Sequence, residues 1–434
     1  MMQKFDFAII GGGILGTTIS YWLSTLYDLR ICVAEKEDNV AKHASGKNTG
    51  VVHSPFYIDP QKKKTMAKAA LISHDLWEDL AKSRNIPWKK CGTIEVALDE
   101  KQHHTLEKYV KWGNQNGIPE TDLELLDAEQ ISKKEPNIRC HSGLYCRRDT
   151  STDYGAFTKE IQKISENQGV KFLFNHKVDQ IKNQADAIQI QFDEKPSIEC
   201  EFLINCAGGH ALGLAKKMGL AHDYSALHFR GEYWIADAKC ADLVNTNIYS
   251  VAKFTNFPFL DPHWIKRANG QTEIGPNAVP VADPETYTGY VGSVPKTLSK
   301  LKEILSGSSR RLLVNPEFLS LVSKEWKSSL SKTAMVNRVK QFIPQIKPSN
   351  FTKRGTAGIR SPVITKKGEF LSDVLELRTQ NSFHIINYNS PGATGAPAYS
   401  AFIVEELAGL GVLRPPKKRA GMWDFEKIIT QKPD

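Results

Sequence analysis

The sequence predicts a mixed α/β chain (α+β overall). A parallel sheet of the nucleotide-binding kind is interrupted by an inserted, mainly antiparallel sheet. Three observations predict it. A glycine pattern stands between an apolar strand and an apolar helix at the start of the chain. A second strand ends in an acid at the spacing such a unit needs. Short strand-like pieces separated by prolines fill residues 223 to 350, and another glycine-rich turn follows near residue 392.

The first element is Phe5 to Ile10, an apolar run followed at once by Gly11-x-Gly13-x-x-Gly16 and an apolar stretch to Leu26. Strand, tight turn and helix in that order make the pattern a Rossmann-like dinucleotide fingerprint. Gly11 permits the turn, Gly13 lets the backbone approach a pyrophosphate, and Gly16 lets helix pack on strand. The helix start, with Ile14 and Leu15, offers free amides and the positive end of the macrodipole. The second strand, Leu29 to Ala34, ends in Glu35, near the roughly 20-residue offset of a ribose-binding acid. A carboxylate there accepts ribose hydroxyls and repels a 2′-phosphate. The motif alone leaves FAD and NAD open.

A chain of 434 residues can bury a large core and is expected to form two domains. No apolar run reaches the roughly 18 residues of a membrane span. The N-terminus reads as a strand entering the fold rather than a targeting segment. Seven cysteines without a CxxC pair read as reduced and structural. These features lead us to expect a cytoplasmic protein. The net charge is +9, with clusters at Lys62-Lys63-Lys64 and Lys417-Lys418-Arg419. Solvated surface is the first explanation; steering of an anionic substrate or a peripheral membrane contact are the others. No nucleic-acid-binding motif is present.

The remaining elements follow in order. Lys42 to Ser54 reads as a loop turning into a strand, and Ser45, Gly46, Thr49 and Gly50 leave room for a planar ring. Gln61 to Arg84 is helical, with Met66, Ala69, Leu76, Trp77 and Leu80 as a buried stripe. Gly92 to Leu98 is a strand, Glu100 to Asn116 a helix with surface histidines His103 and His104, and Asp127 to Glu135 a short helix. Asp149 to Gly169 reads as a loop and then a helix. Lys171 to Phe174, residues 186 to 193 and 197 to 205 are strands. The last runs into Asn205-Cys206-Ala207-Gly208, where backbone can again meet a cofactor. Helices are expected near 296 to 306 and 316 to 341, and a strand at Phe383 to Asn387. Ser390 to Pro397 reads as a tight turn before a helix of about 398 to 410.

Several segments carry a resemblance. They are Gly11-x-Gly13-x-x-Gly16 with Glu35, Ser45-Gly46-Lys47-Asn48-Thr49-Gly50-Val51-Val52-His53, Asn205-Cys206-Ala207-Gly208, Arg230-Gly231-Glu232-Tyr233, Gly275-Pro276-Asn277-Ala278-Val279, Ala357-Gly358-Ile359-Arg360 and Ser390-Pro391-Gly392-Ala393-Thr394. In this order they resemble the D-amino-acid-oxidase-like FAD-dependent oxidoreductases, and within them the L-2-hydroxyglutarate dehydrogenase (oxidase) family. Two segments depart from that family's usual pattern: Val52-His53-Ser54-Pro55, and Gly395-Ala396-Pro397 after the last turn. The first bears on which 2-hydroxy acid is the substrate.

The resemblance implies bound FAD and hydride transfer from a small anionic metabolite to the flavin. Residues 1–85, 146–222 and 352–434 are then the FAD-binding domain; 86–145 and 223–351 are the substrate-binding domain. The expected cofactor contacts are Gly11, Gly13, Ile14, Leu15, Gly16, Glu35, Lys36, Ser45, Gly46, Thr49, Gly50, Val178, Ala207, Gly208, Arg360, Pro391, Gly392, Ala393, Thr394 and Gly395. Arg360 is the candidate clamp for a substrate carboxylate, because a guanidinium grips a carboxylate bidentately. His53 is the candidate base, because imidazole titrates near neutrality. Tyr57, His263 and Lys64 are further substrate-binding candidates. No metal is expected. The electron acceptor (oxygen, a quinone or a protein carrier) stays open. So do three rival functions: a glycine- or sarcosine-type amine oxidase, a malate or glycerol 3-phosphate dehydrogenase, and a non-catalytic nucleotide-binding protein.

Overall fold

The computed structural model describes residues 2–184, 187–253, 257–259, 261–289, 294–414, 416 and 421–433. The cluster Lys417-Lys418-Arg419 lies outside the described residues.

A parallel sheet forms the base. Its strands, side by side, are Ser382–Ile386, Lys195–Asn205, Gln3–Ile10, Ile31–Ala34 and Lys171–Leu173. Ile10 pairs with both Asn205 and Ala34, so these strands end level with one another. Their carboxyl ends deliver Gly11, Cys206 and Glu35 to one rim, the place where open α/β sheets bind ligands. Apolar side chains on both sheet faces explain the unbroken burial of Phe7 to Ile10 and Ile31 to Ala34. On one face pack the helices Ile14–Leu26, Lys64–Arg84, Tyr154–Asn167 and Gly392–Gly409, around Trp22, Trp77, Phe157 and Phe402. Trp77 stacks on Phe157 at 4.5 Å. Each such ring contributes about 1.5–3 kcal/mol through burial.

The second large sheet runs Phe351–Arg354, Trp234–Ala236, Thr272–Gly275, His263–Lys266, Asn247–Ser250, Thr93–Ala97, Ser142–Cys146, Leu123–Asp127. All its pairs are antiparallel except Asn247–Ser250 with Thr93–Ala97. A small sheet joins Val51–Val52 to Thr150–Thr152. Another joins His228–Gly231 to Gly358–Arg360. Both end beside the rim of the parallel sheet.

Five elements differ from expectation. The segment expected as a tight turn, Ser390 to Pro397, is largely helix: the last long helix begins at Gly392 and passes through Pro397. Proline supplies no N–H, and neighbours satisfy the opened ladder. Ala398 N–H donates to Ser73 Oγ at 3.0 Å. Trp77 Nε1–H donates to Thr394 O at 2.8 Å, and Trp22 Nε1–H to Pro397 O at 2.8 Å. The expected helix 316 to 341 is two, Pro316–Leu330 and Lys332–Val339; Ser331 breaks the run and caps the second. Val178–Asn183 is an additional strand, mostly exposed and polar, so the apolar alternation that marks strands is missing. Leu123–Asp127 and Ser142–Cys146 were likewise not expected as strands.

Candidate active site

One cavity of about 830 Å³ joins the first glycine turn to the last, within the roughly 300–1,000 Å³ typical of ligand sites. Gly11, Gly13, Ile14, Leu15, Glu35, Lys36, Ser45, Thr49, Val178, Ala207 and Gly208 line one end. His53, Arg360, Pro391, Gly392, Ala393 and Thr394 line the other.

The first end has the shape and chemistry a dinucleotide needs. Gly11 has φ 111°, and a Cβ there would meet Cys206 O at 2.5 Å, so only glycine makes this turn. Glu35, buried, accepts Gly12 N–H at 2.7 Å and Glu37 N–H at 2.9 Å. These bonds fix its carboxylate on the cavity wall. Ser45 Oγ accepts Ile14 N–H at 2.9 Å, which holds the loop over the helix start. The residues therefore fit FAD.

The other expected glycines act behind the wall. A Cβ on Gly16 would lie 2.0 Å from Gly11 O, one on Gly46 2.2 Å from Ala41 O, and one on Gly50 2.4 Å from Thr152 O. Gly395 packs its helix against Ala69 and Ala70. None of these four lines the cavity.

At the second end, register makes the site. Val52 pairs with Thr150 across antiparallel strands, so the next residue out on each strand, His53 and Asp149, face each other. His53 Nδ1 lies 3.0 Å from Asp149 Oδ2. Asp149 is fully buried, and its Oδ1 accepts Ser54 N–H at 2.7 Å and Cys146 Sγ–H at 3.3 Å. Burial pushes its carboxyl up, but hydrogen bonding and charge from His53, with the Ser54 amide, hold it below the usual range. His53 Nε2 is 3.4 Å from Tyr249 Oη. His53 N–H donates to Thr394 Oγ1 at 3.3 Å, and that hydroxyl lies 2.8 Å from Tyr154 Oη.

Arg360 is half-buried and donates to Pro258 O at 3.2 Å. It has no acidic partner among the described residues. Tyr57 stands edge-on to His53 at 6.0 Å, and neither it nor His263 lines the cavity. His263 is buried and stacks on Tyr249 at 4.2 Å. Burial pushes it down to about 3, so it is neutral at neutral pH. Its Nε2 has no hydrogen-bond partner among the described residues. Lys64 is exposed at the start of its helix and lies off the cavity wall; Lys63 beside it is half-buried. Ser54 and Pro55, where the chain departs from the family pattern, also lie off the wall. Ser54 touches Asp149 through its amide, which any residue but proline could supply.

Sequence reading missed Asp149, Tyr249 and Tyr233. Asp149 opens what reads as a loop, and no spacing rule links residue 149 to residue 53. Tyr249 is an ordinary strand residue until the sheet order turns it to face His53, and Tyr233, in the connection between two strands, lines the cavity.

A strap closes the cavity's flank. Glu285 bonds Lys36 Nζ at 2.5 Å and His210 Nε2 at 2.7 Å, so it bridges the segments after two sheet strands. Tyr287 Oη meets His43 Nδ1 at 2.9 Å. Glu37, His43 and Glu285 bring their ligand atoms within 4.8 Å of one another, but the Lys36 ammonium already stands among them.

Residues 6–406 match the family model described as FAD dependent oxidoreductase (DAO). The chain is 32% identical to the mitochondrial L-2-hydroxyglutarate dehydrogenase of Caenorhabditis elegans, covering 93% of each. It is 29% identical to that of Homo sapiens over 93% of this chain and 89% of the relative. It is also 29% identical to the L-2-hydroxyglutarate dehydrogenase of Escherichia coli strain K12, over 94% of each. Among solved structures it is similar to the L-alpha-glycerophosphate oxidase of Mycoplasma pneumoniae with FAD bound, at TM-score 0.74 and 22% identity, covering 94% and 95% of the two chains. This chain belongs to the DAO family and is an FAD-dependent oxidoreductase.

Proposed function

We propose that this protein oxidises L-2-hydroxyglutarate to 2-oxoglutarate. The observation that carries the proposal is the pairing, at one end of a dinucleotide-sized cavity, of an arginine with no acidic partner among the described residues and a histidine held by a buried aspartate. The sequence relatives of that name support the choice of acid. Bound FAD supplies the acceptor for the hydride on the hydroxyl-bearing carbon. Arg360 grips a carboxylate and sets which face of that carbon meets the acceptor. His53, through Nε2, takes the hydroxyl proton as the ketone forms. Tyr57 and neutral His263 do not line the cavity; they pack behind the base, Tyr57 against the His53 ring and His263 against Tyr249. Residues 1–85, 146–222 and 352–434 hold the cofactor in this reading, and 86–145 with 223–351 cover the substrate.

The test is anaerobic. L-2-hydroxyglutarate should bleach the flavin of the purified protein, while glycine, sarcosine, malate and glycerol 3-phosphate leave it oxidised. Bleaching by an amino acid alone would replace this reading with the amine-oxidase one.

We propose also that the protein touches an anionic membrane surface. No described helix is long and apolar enough to cross a membrane. The helix Val294–Ser306, however, turns Val294, Leu298, Leu301 and Leu305 outward at 49–63% exposure. Lys302, Arg310 and Arg311 are exposed on and after it. Leucines on one face with basic residues nearby are the pattern of a helix lying in a lipid interface. Sedimentation with phosphatidylserine vesicles should fall several-fold in Leu298→Glu/Leu305→Glu; unchanged sedimentation would remove the proposal.

A further inference from the structure

We propose that Asp149 is a positioning residue that fixes the proton of His53 on Nδ1 and so leaves Nε2 as the atom that accepts the substrate's proton. The inference rests on the reading of His53 as the base. Three observations carry it. The His53 Nδ1 to Asp149 Oδ2 distance is 3.0 Å, a direct hydrogen bond that only an Nδ1–H can donate to a carboxylate. The carboxylate is not free to turn away, because its other oxygen is held by the Ser54 amide at 2.7 Å and the Cys146 thiol at 3.3 Å. The pair is set by strand register rather than by a flexible side chain, since Val52 and Thr150 are paired partners.

A neutral imidazole carries one ring proton. With that proton committed to Asp149, the lone pair sits on Nε2, which points toward Tyr249 Oη at 3.4 Å. When Nε2 accepts a proton, the positive ring stays beside a carboxylate buried away from water. Serine hydrolases use a buried aspartate on histidine in the same way.

The other titratable groups facing this pair are Tyr57, Tyr154, Tyr249, His263, Glu95, Cys91, Cys146 and Arg360. Burial raises the three tyrosines and both thiols and pushes His263 down to about 3. Burial and Asp149 push Glu95 up to about 8.

The experiment is stopped-flow reduction of the holoenzyme by L-2-hydroxyglutarate across pH, for wild type, Asp149→Asn and His53→Gln, with ¹⁵N NMR of the histidine rings. His53 in the wild type should show the Nδ1–H tautomer, assigned by its loss in His53→Gln. In Asp149→Asn the limiting reduction rate should fall about 10²–10⁴-fold with KM changed only a few-fold. An Nε2–H tautomer in the wild type, or an Asp149→Asn enzyme with wild-type rate and profile, would overturn the positioning role while leaving His53 as the base. Wild-type rates in His53→Gln would overturn the base reading itself. If Asp149→Asn fails to retain FAD, the wild-type tautomer decides.

Discussion

Glu95 shows how a side chain's surroundings decide its charge. It stands on the strand Thr93–Ala97, and both Tyr57 and Tyr109 sense it. Burial and the nearby Asp149 push its carboxyl up to about 8. An unfolded chain releases that proton near ~4.3. Between these values the folded protein binds one more proton than the unfolded one, so stability falls as pH rises through the window. Glu95→Gln removes the ionisable group and with it this slope. Its melting temperature relative to wild type should rise between pH 5 and pH 8, by on the order of 2 °C or more, measured by calorimetry. An unchanged difference would mean that Glu95 is ionised in the folded state. Nothing in the sequence marked Glu95. Its neighbours Ile94 and Val96 made the strand legible, but the charge depends on Asp149, more than fifty positions away. His53 and Arg360 were legible because they stand inside recognisable segments. Asp149 was not, because its significance comes only from strand register.

At the scale of elements, the opening strand, turn and helix were readable from local chemistry alone. Gly16 lies where a Cβ would come within 2.0 Å of Gly11 O. Gly16→Ala must push the helix away from the turn, at about 1–3 kcal/mol for an overpacked contact. Its FAD affinity should fall about 10-fold or more, measured by titrating apoprotein with FAD and following tryptophan fluorescence. Wild-type affinity would mean that the helix start does not set the cofactor's position. The last helix was misread for an equally physical reason. Glycine and proline between Ser390 and Pro397 favour a turn. Ser73, Trp22 and Trp77, from two other helices, take up the hydrogen bonds that proline opens. Tertiary partners overrode local propensity there. The strand Val178–Asn183 escaped notice because an edge strand that faces water carries little apolar pattern.

For the whole molecule, the decisive feature is that one cavity has two chemically different ends. The strap over its flank closes through Glu285, whose carboxyl is held far below the usual range by the His210 hydrogen bond and, against burial, by Lys36. Glu285→Gln loses that charge on both rims. FAD should dissociate several-fold faster from this variant, measured by the recovery of flavin fluorescence after dilution; an unchanged rate would show that the strap does not hold the cofactor. The cofactor end was legible because the first glycine turn and the Asn205-to-Gly208 segment both read as backbone meeting a cofactor, and both line the cavity. The strap was not, since Glu285 lies in a proline-rich stretch with no motif.

The most direct measurement separates the two ends in one variant. In Arg360→Met, FAD should remain bound at one per chain, while KM for L-2-hydroxyglutarate in anaerobic flavin reduction should rise on the order of 100-fold. A variant that keeps its flavin and reduces it with wild-type KM and rate would contradict the placement of the substrate at this end of the cavity.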